Sequence, residues 1–163
     1  MNRHAYVVVA AFLVILGSGC AAQREVAGDG RYDASAMPSD SSRPDARQYV
    51  TTANLPDIHF DFDKYEIRPD AAKTLDASAK WLKGNTKTFV LIEGHCDERG
   101  TTEYNISLGE RRAKAAMSYL VSQGVDARRI AVVSFGEDKP QCEQHNAACW
   151  AKNRRAHFLF KSE

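Results

Sequence analysis

Residues 89–124 read FVLIEGHCDERGTTEYNISLGERRAKAAMSYLVSQG, and the change of period within this stretch decides the fold. Phe89 to Ile92 is a continuous apolar run, as expected of a central strand covered on both faces. From about Thr102 to Gln123 the apolar residues recur at helical spacing, and Gly124 stops the run. Between the two lies Gly94-His95-Cys96-Asp97-Glu98-Arg99-Gly100, polar and bounded by glycine. It joins a strand end to a helix start, where folds of strands and helices commonly place binding groups.

The flanks extend the same pattern. Upstream, Ile58, Phe60 and Phe62 alternate with His59, Asp61 and Asp63, which predicts a strand with one buried face. Pro69 opens a helix whose Ala72, Leu75, Ala79 and Leu82 share one side, and Gly84-Asn85 end it. Downstream, Ile130–Phe135 and Ala156–Phe160 read as two further strands. The order β-α-β-α-β-loop-β predicts an α+β, two-layer sandwich over residues 55–163. Its mixed sheet has about four strands, with the helices on one face.

The remainder of the chain differs in texture. Residues 1–20 run from Met-Asn-Arg-His through the apolar stretch Ala5–Leu16 to Gly17-Ser18-Gly19-Cys20. A short basic start, a short apolar stretch and a small-residue exit form a secretion signal. The alternative, a membrane span, needs ~20 apolar residues, and glycines interrupt this run first. Small residues leading into a cysteine resemble the bacterial lipobox, with Leu16 one place early and Gly17 in the usual position of a branched residue or Leu. That resemblance implies a signal over 1–19, a lipid on Cys20 and, because Ala21 rather than Asp follows, the outer membrane as destination. Residues 20–54 hold Gly28, Gly30, Pro38, Pro44 and a Ser-rich stretch with neither apolar period, the composition of a flexible tether.

The chain has 163 residues, 26% charged and 44% hydrophobic, with a formal net charge of +1. Its Lys and Arg are interleaved with acids, so nothing here favours nucleic acid, which calls for a clustered basic excess.

Helical geometry separates Arg111 from Arg112. At about 100° per residue, Ile106, Ala113, Ala116, Met117 and Leu120 mark the buried arc. Asn105, Leu108 and Arg112 fall within roughly 60° along its margin, while Arg111 falls on the solvated side with Lys114 and Ser118. Arg112 can therefore turn toward the crevice at whose mouth Asp97 sits. One acid and one guanidinium facing a shared hollow suit a zwitterion, the arginine holding a carboxylate and the acid an ammonium. The competing reading is an internal Asp97–Arg112 ion pair that ties loop to helix.

These residues resemble the OmpA-like peptidoglycan-binding domain family, and within it the peptidoglycan-associated lipoproteins. The likeness is carried by GHCDERGTTEYNISLGERRAKAAMSYLVSQGV, FDFDKYEI at Phe60–Ile67, SFGEDKP at Ser134–Pro140 and WAKNRRAHF at Trp150–Phe158, and it spans residues 58–160. It implies that peptidoglycan is the partner and that the ligand is the diaminopimelate of the stem peptide, whose side-chain end carries an amine and a carboxylate. By motif position Asp97 accepts the ammonium and Arg112 holds the carboxylate. Phe62 and Asp63 form a second wall, with Asn105 and Leu108 lining the pocket; a turn-capping role is the other reading of Asp63. The resemblance further implies a second partner, the periplasmic propeller protein of the Tol system, and a role in division. It implies no enzyme activity and no cofactor.

Cys142 and Cys149 flank the loop before the last strand, and in an exported protein a disulfide is expected. Cys142, His145 and Cys149 also have plausible metal-ligand spacing, without an obvious fourth ligand. His95 and Cys96 are neighbours on a strand and point to opposite faces, so a thiol–imidazole pair is not expected and Cys96 reads as a small buried side chain. His59 and His157 read as lone structural histidines. Of Arg154 and Arg155, one is expected to pair with an acid and the other to lie in solvent. No nucleophile–base pair of a wall hydrolase or transpeptidase is evident.

Overall fold

The structure, a computed structural model, describes residues 45–162. The signal, Cys20 and most of the tether lie outside them. Four strands form one sheet: β1 (Ile58–His59), β2 (Thr88–His95), β3 (Ile130–Gly136) and β4 (Arg155–Ser162). Their order is β1-β4-β2-β3. Strand β2 runs parallel to β3 and antiparallel to β4, so the sheet is mixed as expected. Helices α1 (Pro69–Gly84), α2 (Thr102–Ser122) and α3 (Ala147–Asn153) complete the α+β fold. Among the described residues no helix is long and apolar enough to cross a membrane.

Helix α1 begins as its sequence predicts, with Pro69 at the first turn, where a missing N–H is harmless, and Asp70 beside the positive end of the helix dipole. Leu75, Ala79 and Leu82 are buried, but Ala71 and Ser78 face inward while Ala72 is only half-buried. The apolar stripe thus begins one residue earlier than its periodicity suggested. Leu75, Leu82, Val90, Ile92, Ala113, Ala116, Leu120 and Phe158 belong to one core cluster, which joins both long helices to the central strands.

Helix α2 lies unusually close to β2. A Cβ placed on Gly94 meets the Gly109 carbonyl oxygen at 1.9 Å, and one on Gly109 meets Ser134 Oγ at 2.4 Å. The glycine pair lets the helix backbone rest on the strand backbone, and this contact sets where the next turn of α2 stands. The Thr101 side chain caps the helix by accepting from the Tyr104 N–H at 3.2 Å.

Two expectations are corrected. The first strand does not continue through Phe62. The Phe60 N–H donates to the Arg154 carbonyl at 3.0 Å, after which a turn from Asp61 to Lys64 leaves the sheet, with Asp63 at φ 58°. Phe60 is buried, whereas Phe62 is 55% exposed, because a period of two holds only while the chain stays extended. The loop before β4 contains α3, whose short length and single buried apolar side chain, Cys149, left no periodic signal. Cys142 and Cys149 are joined as a disulfide, with Cα atoms 5.1 Å apart. The metal reading of Cys142, His145 and Cys149 therefore fails, since both sulfurs are consumed in the bond. His145 turns instead to Glu98, with Nδ1 2.5 Å from Oε2.

Candidate functional site

A cavity of about 430 Å³ opens where β2 ends and α2 begins. Phe62, Asp63, Asp97, Asn105, Leu108 and Arg112 all line it, so the six residues expected to form the pocket lie together. Helical spacing places Asn105, Leu108 and Arg112 on one side of α2, where all three are buried.

Arg112 has zero exposure, yet among the described residues no carboxylate pairs with it. Its Nε donates to the Lys64 carbonyl at 2.8 Å, Nη1 to the His95 carbonyl at 2.8 Å and Nη2 to the Asp61 carbonyl at 3.2 Å. Nη1 also lies 3.4 Å from Cys96 Sγ. These partners leave one Nη2 hydrogen for a ligand oxygen. The Phe60 ring packs 5.2 Å from the guanidinium carbon. Burial lowers the pKa of Arg112 from its ordinary value.

Asp97 is 3% exposed and is paired twice. Its Oδ1 accepts from the Arg99 N–H at 3.2 Å and from Arg99 Nε at 3.1 Å. Its Oδ2 accepts from Arg99 Nη2 at 2.7 Å and from Arg154 Nη1 at 3.0 Å. Burial pushes this carboxyl up, but the hydrogen bonds from Arg99 and Arg154 outweigh it, and the net pKa lies below the usual carboxylate value. The internal Asp97–Arg112 ion pair is therefore absent, its place taken by two other arginines.

Those two arginines and Tyr104 also line the cavity; none of the three was expected as a pocket residue, although one of Arg154 and Arg155 was expected to pair with an acid, as Arg154 does. Arg99 lies between two rings, 3.9 Å from the Phe62 centroid and 4.3 Å from that of Trp150. The Tyr104 hydroxyl donates to Asp63 Oδ1, fixing the second wall. A local signal for Arg99 exists, because Asp-x-Arg permits a turn in which the acid caps its own loop. No local signal exists for Arg154, which reaches Asp97 from 57 residues away. Three guanidinium groups and two carboxylates surround the cavity, an excess of one positive charge.

Behind the site, Asn105 Nδ2 donates to Glu137 Oε2 at 2.7 Å, tying the start of α2 to the end of β3. The Cys96 thiol is buried and contacts the Asn105 carbonyl at 3.2 Å, and burial pushes its pKa up to about 11, which removes thiolate chemistry near neutrality. His95 stacks on Phe135 across 5.8 Å. Its Nε2 lies 3.5 Å from Glu93, and burial lowers its pKa.

Two further expectations are corrected. His157 has a partner, with Nδ1 2.6 Å from Asp57 Oδ1. Neither Arg154 nor Arg155 lies in solvent: Arg154 holds Asp97, and Arg155 is buried with Nε 3.5 Å from Asp57.

Comparison with known proteins agrees with this fold. Residues 59–154 match the OmpA family. The peptidoglycan-associated lipoprotein of Rhizobium meliloti (strain 1021) is 39% identical over 92% of this chain and 84% of its own length. That of Haemophilus influenzae is 50% identical over 61% of this chain and 65% of its own length. The crystal structure of the peptidoglycan-associated lipoprotein from Burkholderia pseudomallei superposes with a TM-score of 0.63 at 39% identity, covering 64% of this chain and 89% of that one. The C-terminal domain of Helicobacter pylori MotB shares the fold, with a TM-score of 0.63 at 19% identity over 67% of this chain and 86% of that one. On this family match and these relatives, the chain belongs to the OmpA family, in its branch of peptidoglycan-associated lipoproteins.

Proposed function

We propose that this chain is a non-catalytic anchor that binds peptidoglycan through its cavity while a lipid on Cys20 holds it to the periplasmic face of the outer membrane. The observation that carries this reading is that a buried guanidinium, Arg112, and a buried carboxylate, Asp97, line one cavity without pairing with each other. The side-chain end of diaminopimelate offers the complementary pair of charges. Its carboxylate takes the remaining Nη2 hydrogen of Arg112. Its ammonium reaches Asp97 by taking the place of Arg99, because the carboxylate oxygens already hold four donors between them. Arg99 can leave, being 35% exposed, whereas Arg154 at 14% is held beneath it.

Each charge-assisted hydrogen bond contributes ~1.5–3 kcal/mol, so a few of them give modest affinity per site. Many tethered copies on one polymer add avidity. The residues from Cys20 up to Val50 act as the tether, shorter than the expected 20–54 because Val50 exchanges two backbone hydrogen bonds of 2.8 Å with Phe160 of β4. The periplasmic propeller protein of the Tol system is the second partner, in an envelope apparatus that works at division. No metal or cofactor takes part.

The test is retention on purified sacculi of wild type, Asp97→Asn and Asp63→Asn, each checked for an intact fold by circular dichroism. Loss of retention in the folded Asp97→Asn variant supports the reading; wild-type retention by that variant removes Asp97 from the site. The same incubation should release no soluble wall fragments, and steady release would make the protein an enzyme.

A further inference from the structure

Arg111, next to Arg112 in sequence, takes no part in the site described above. It is exposed, and its guanidinium carbon sits 5.5 Å from the Tyr65 ring centroid and 5.8 Å from that of Tyr104. Among the described arginines it is the one that meets neither a carboxylate nor a carbonyl oxygen. Arg47, Arg68, Arg128 and Arg155 each pair with an aspartate, Arg99 and Arg154 share Asp97, and Arg112 and Arg129 donate to carbonyls. Its neighbour Lys114 is paired to Glu110 at 2.6 Å.

Two aromatic rings hold this cation, Tyr104 also accepting a hydrogen bond from it at the hydroxyl, and both belong to the cavity wall or its frame. Tyr104 lines the cavity and donates to Asp63. Tyr65 follows Lys64, whose carbonyl accepts from Arg112 at 2.8 Å. The rings are 43% and 44% exposed, so Arg111 stands at the rim rather than inside. A planar guanidinium stacked on aromatic faces keeps its N–H fork pre-organised for a carboxylate.

We propose that Arg111, with Tyr65 and Tyr104, forms a second carboxylate subsite at the rim, which takes another carboxylate of the same wall peptide. The inference rests on the peptidoglycan reading. Arg111 reaches Asp63 only through the Tyr104 hydroxyl, so no described carboxylate takes its N–H fork directly, and the wall peptide is rich in carboxylates. Two of them lie within a residue of diaminopimelate: the α-carboxylate of the preceding D-glutamate and the terminal carboxylate of the following D-alanine. Either offers the same chemistry.

The experiment titrates the full chain in detergent by calorimetry with four probes. These are free diaminopimelate, the stem tetrapeptide, the tetrapeptide amidated at its D-glutamate α-carboxyl, and the tetrapeptide amidated at its C-terminus. Wild type is compared with Arg111→Gln and Arg111→Lys. Arg111→Gln is expected to weaken the tetrapeptide about three- to tenfold and leave free diaminopimelate unchanged, with Arg111→Lys intermediate. One amidation should weaken wild type by a similar factor and cancel the difference between wild type and Arg111→Gln, which names the carboxylate read. The subsite is overturned if Arg111→Gln binds the tetrapeptide as wild type does, or if its loss persists with both amidated peptides. A wild-type chain that binds neither diaminopimelate nor tetrapeptide overturns the wall-binding reading itself, and this inference with it.

Discussion

Arg112 donates to three backbone carbonyls of two segments, Asp61 and Lys64 in the turn after β1 and His95 at the end of β2, and so acts as a structural pin besides its proposed ligand contact. Truncation orphans the Lys64 and His95 carbonyls, while that of Asp61 keeps the Lys64 N–H at 3.2 Å, and each unsatisfied buried group costs ~1–3 kcal/mol. Arg112→Ala is therefore expected to lose about 3 kcal/mol or more in urea unfolding, so that loss of wall binding in that variant alone is uninformative; an unfolding midpoint equal to wild type would show that the carbonyls are satisfied otherwise. Asp97 has a folded pKa lowered from 3.8. Its contribution to stability is complete above that value and disappears as pH falls through the lowered one. The stability gap between wild type and Asp97→Asn should accordingly be widest near neutrality and close below about pH 4. His157 behaves in the opposite sense, because its hydrogen bond to Asp57 raises its pKa above 6.5. That contribution is complete below 6.5 and is lost as pH rises through the raised value. Denaturation at pH 6 and pH 9 should show His157→Gln costing more at the lower pH, and an equal cost at both would remove the charged pair from the account.

Helix α2 carries most of the site, and its position follows from the contact of Gly94 with Gly109. A side chain at residue 94 overlaps the backbone of the helix, which no rotamer change relieves. Gly94→Ala should lower the melting temperature by several degrees and displace Asn105, Leu108 and Arg112 together; a variant that keeps both stability and sacculus retention would show that α2 is free to shift. Helix α3 depends on a staple. The disulfide closes a loop with a sequence separation of 7, and Asn153 Oδ1 accepts from the Gln141 and Cys142 N–H groups at 2.9 and 3.0 Å. Chain-entropy arguments put such a closure at about 2.5 kcal/mol. Reduction should bring a loss near that size and loosen Trp150, which stacks on Arg99. Both long helices were legible from periodicity because amphipathic spacing is a local property. Helix α3 was not, because it has too few buried positions to show a period.

Across the molecule, retention at the wall and retention at the membrane are assigned to different ends of the chain. Cys20→Ser should move the protein from the membrane fraction to the soluble periplasmic fraction while leaving sacculus binding by the purified protein intact. A serine variant still sedimenting with membranes would point to another anchor. The four strands, the two long helices and the loop bearing Asp97 could be read from the chain in order, since period, capping and glycine breaks act between residues a few positions apart. The partners of the buried charges could not. In a sheet ordered β1-β4-β2-β3, the loop after β2 meets the residue before β4, and this is how Arg154 reaches Asp97. Desolvation requires a buried carboxylate to take whatever donors the fold brings within reach, however distant in sequence, and only the tertiary structure decides which those are.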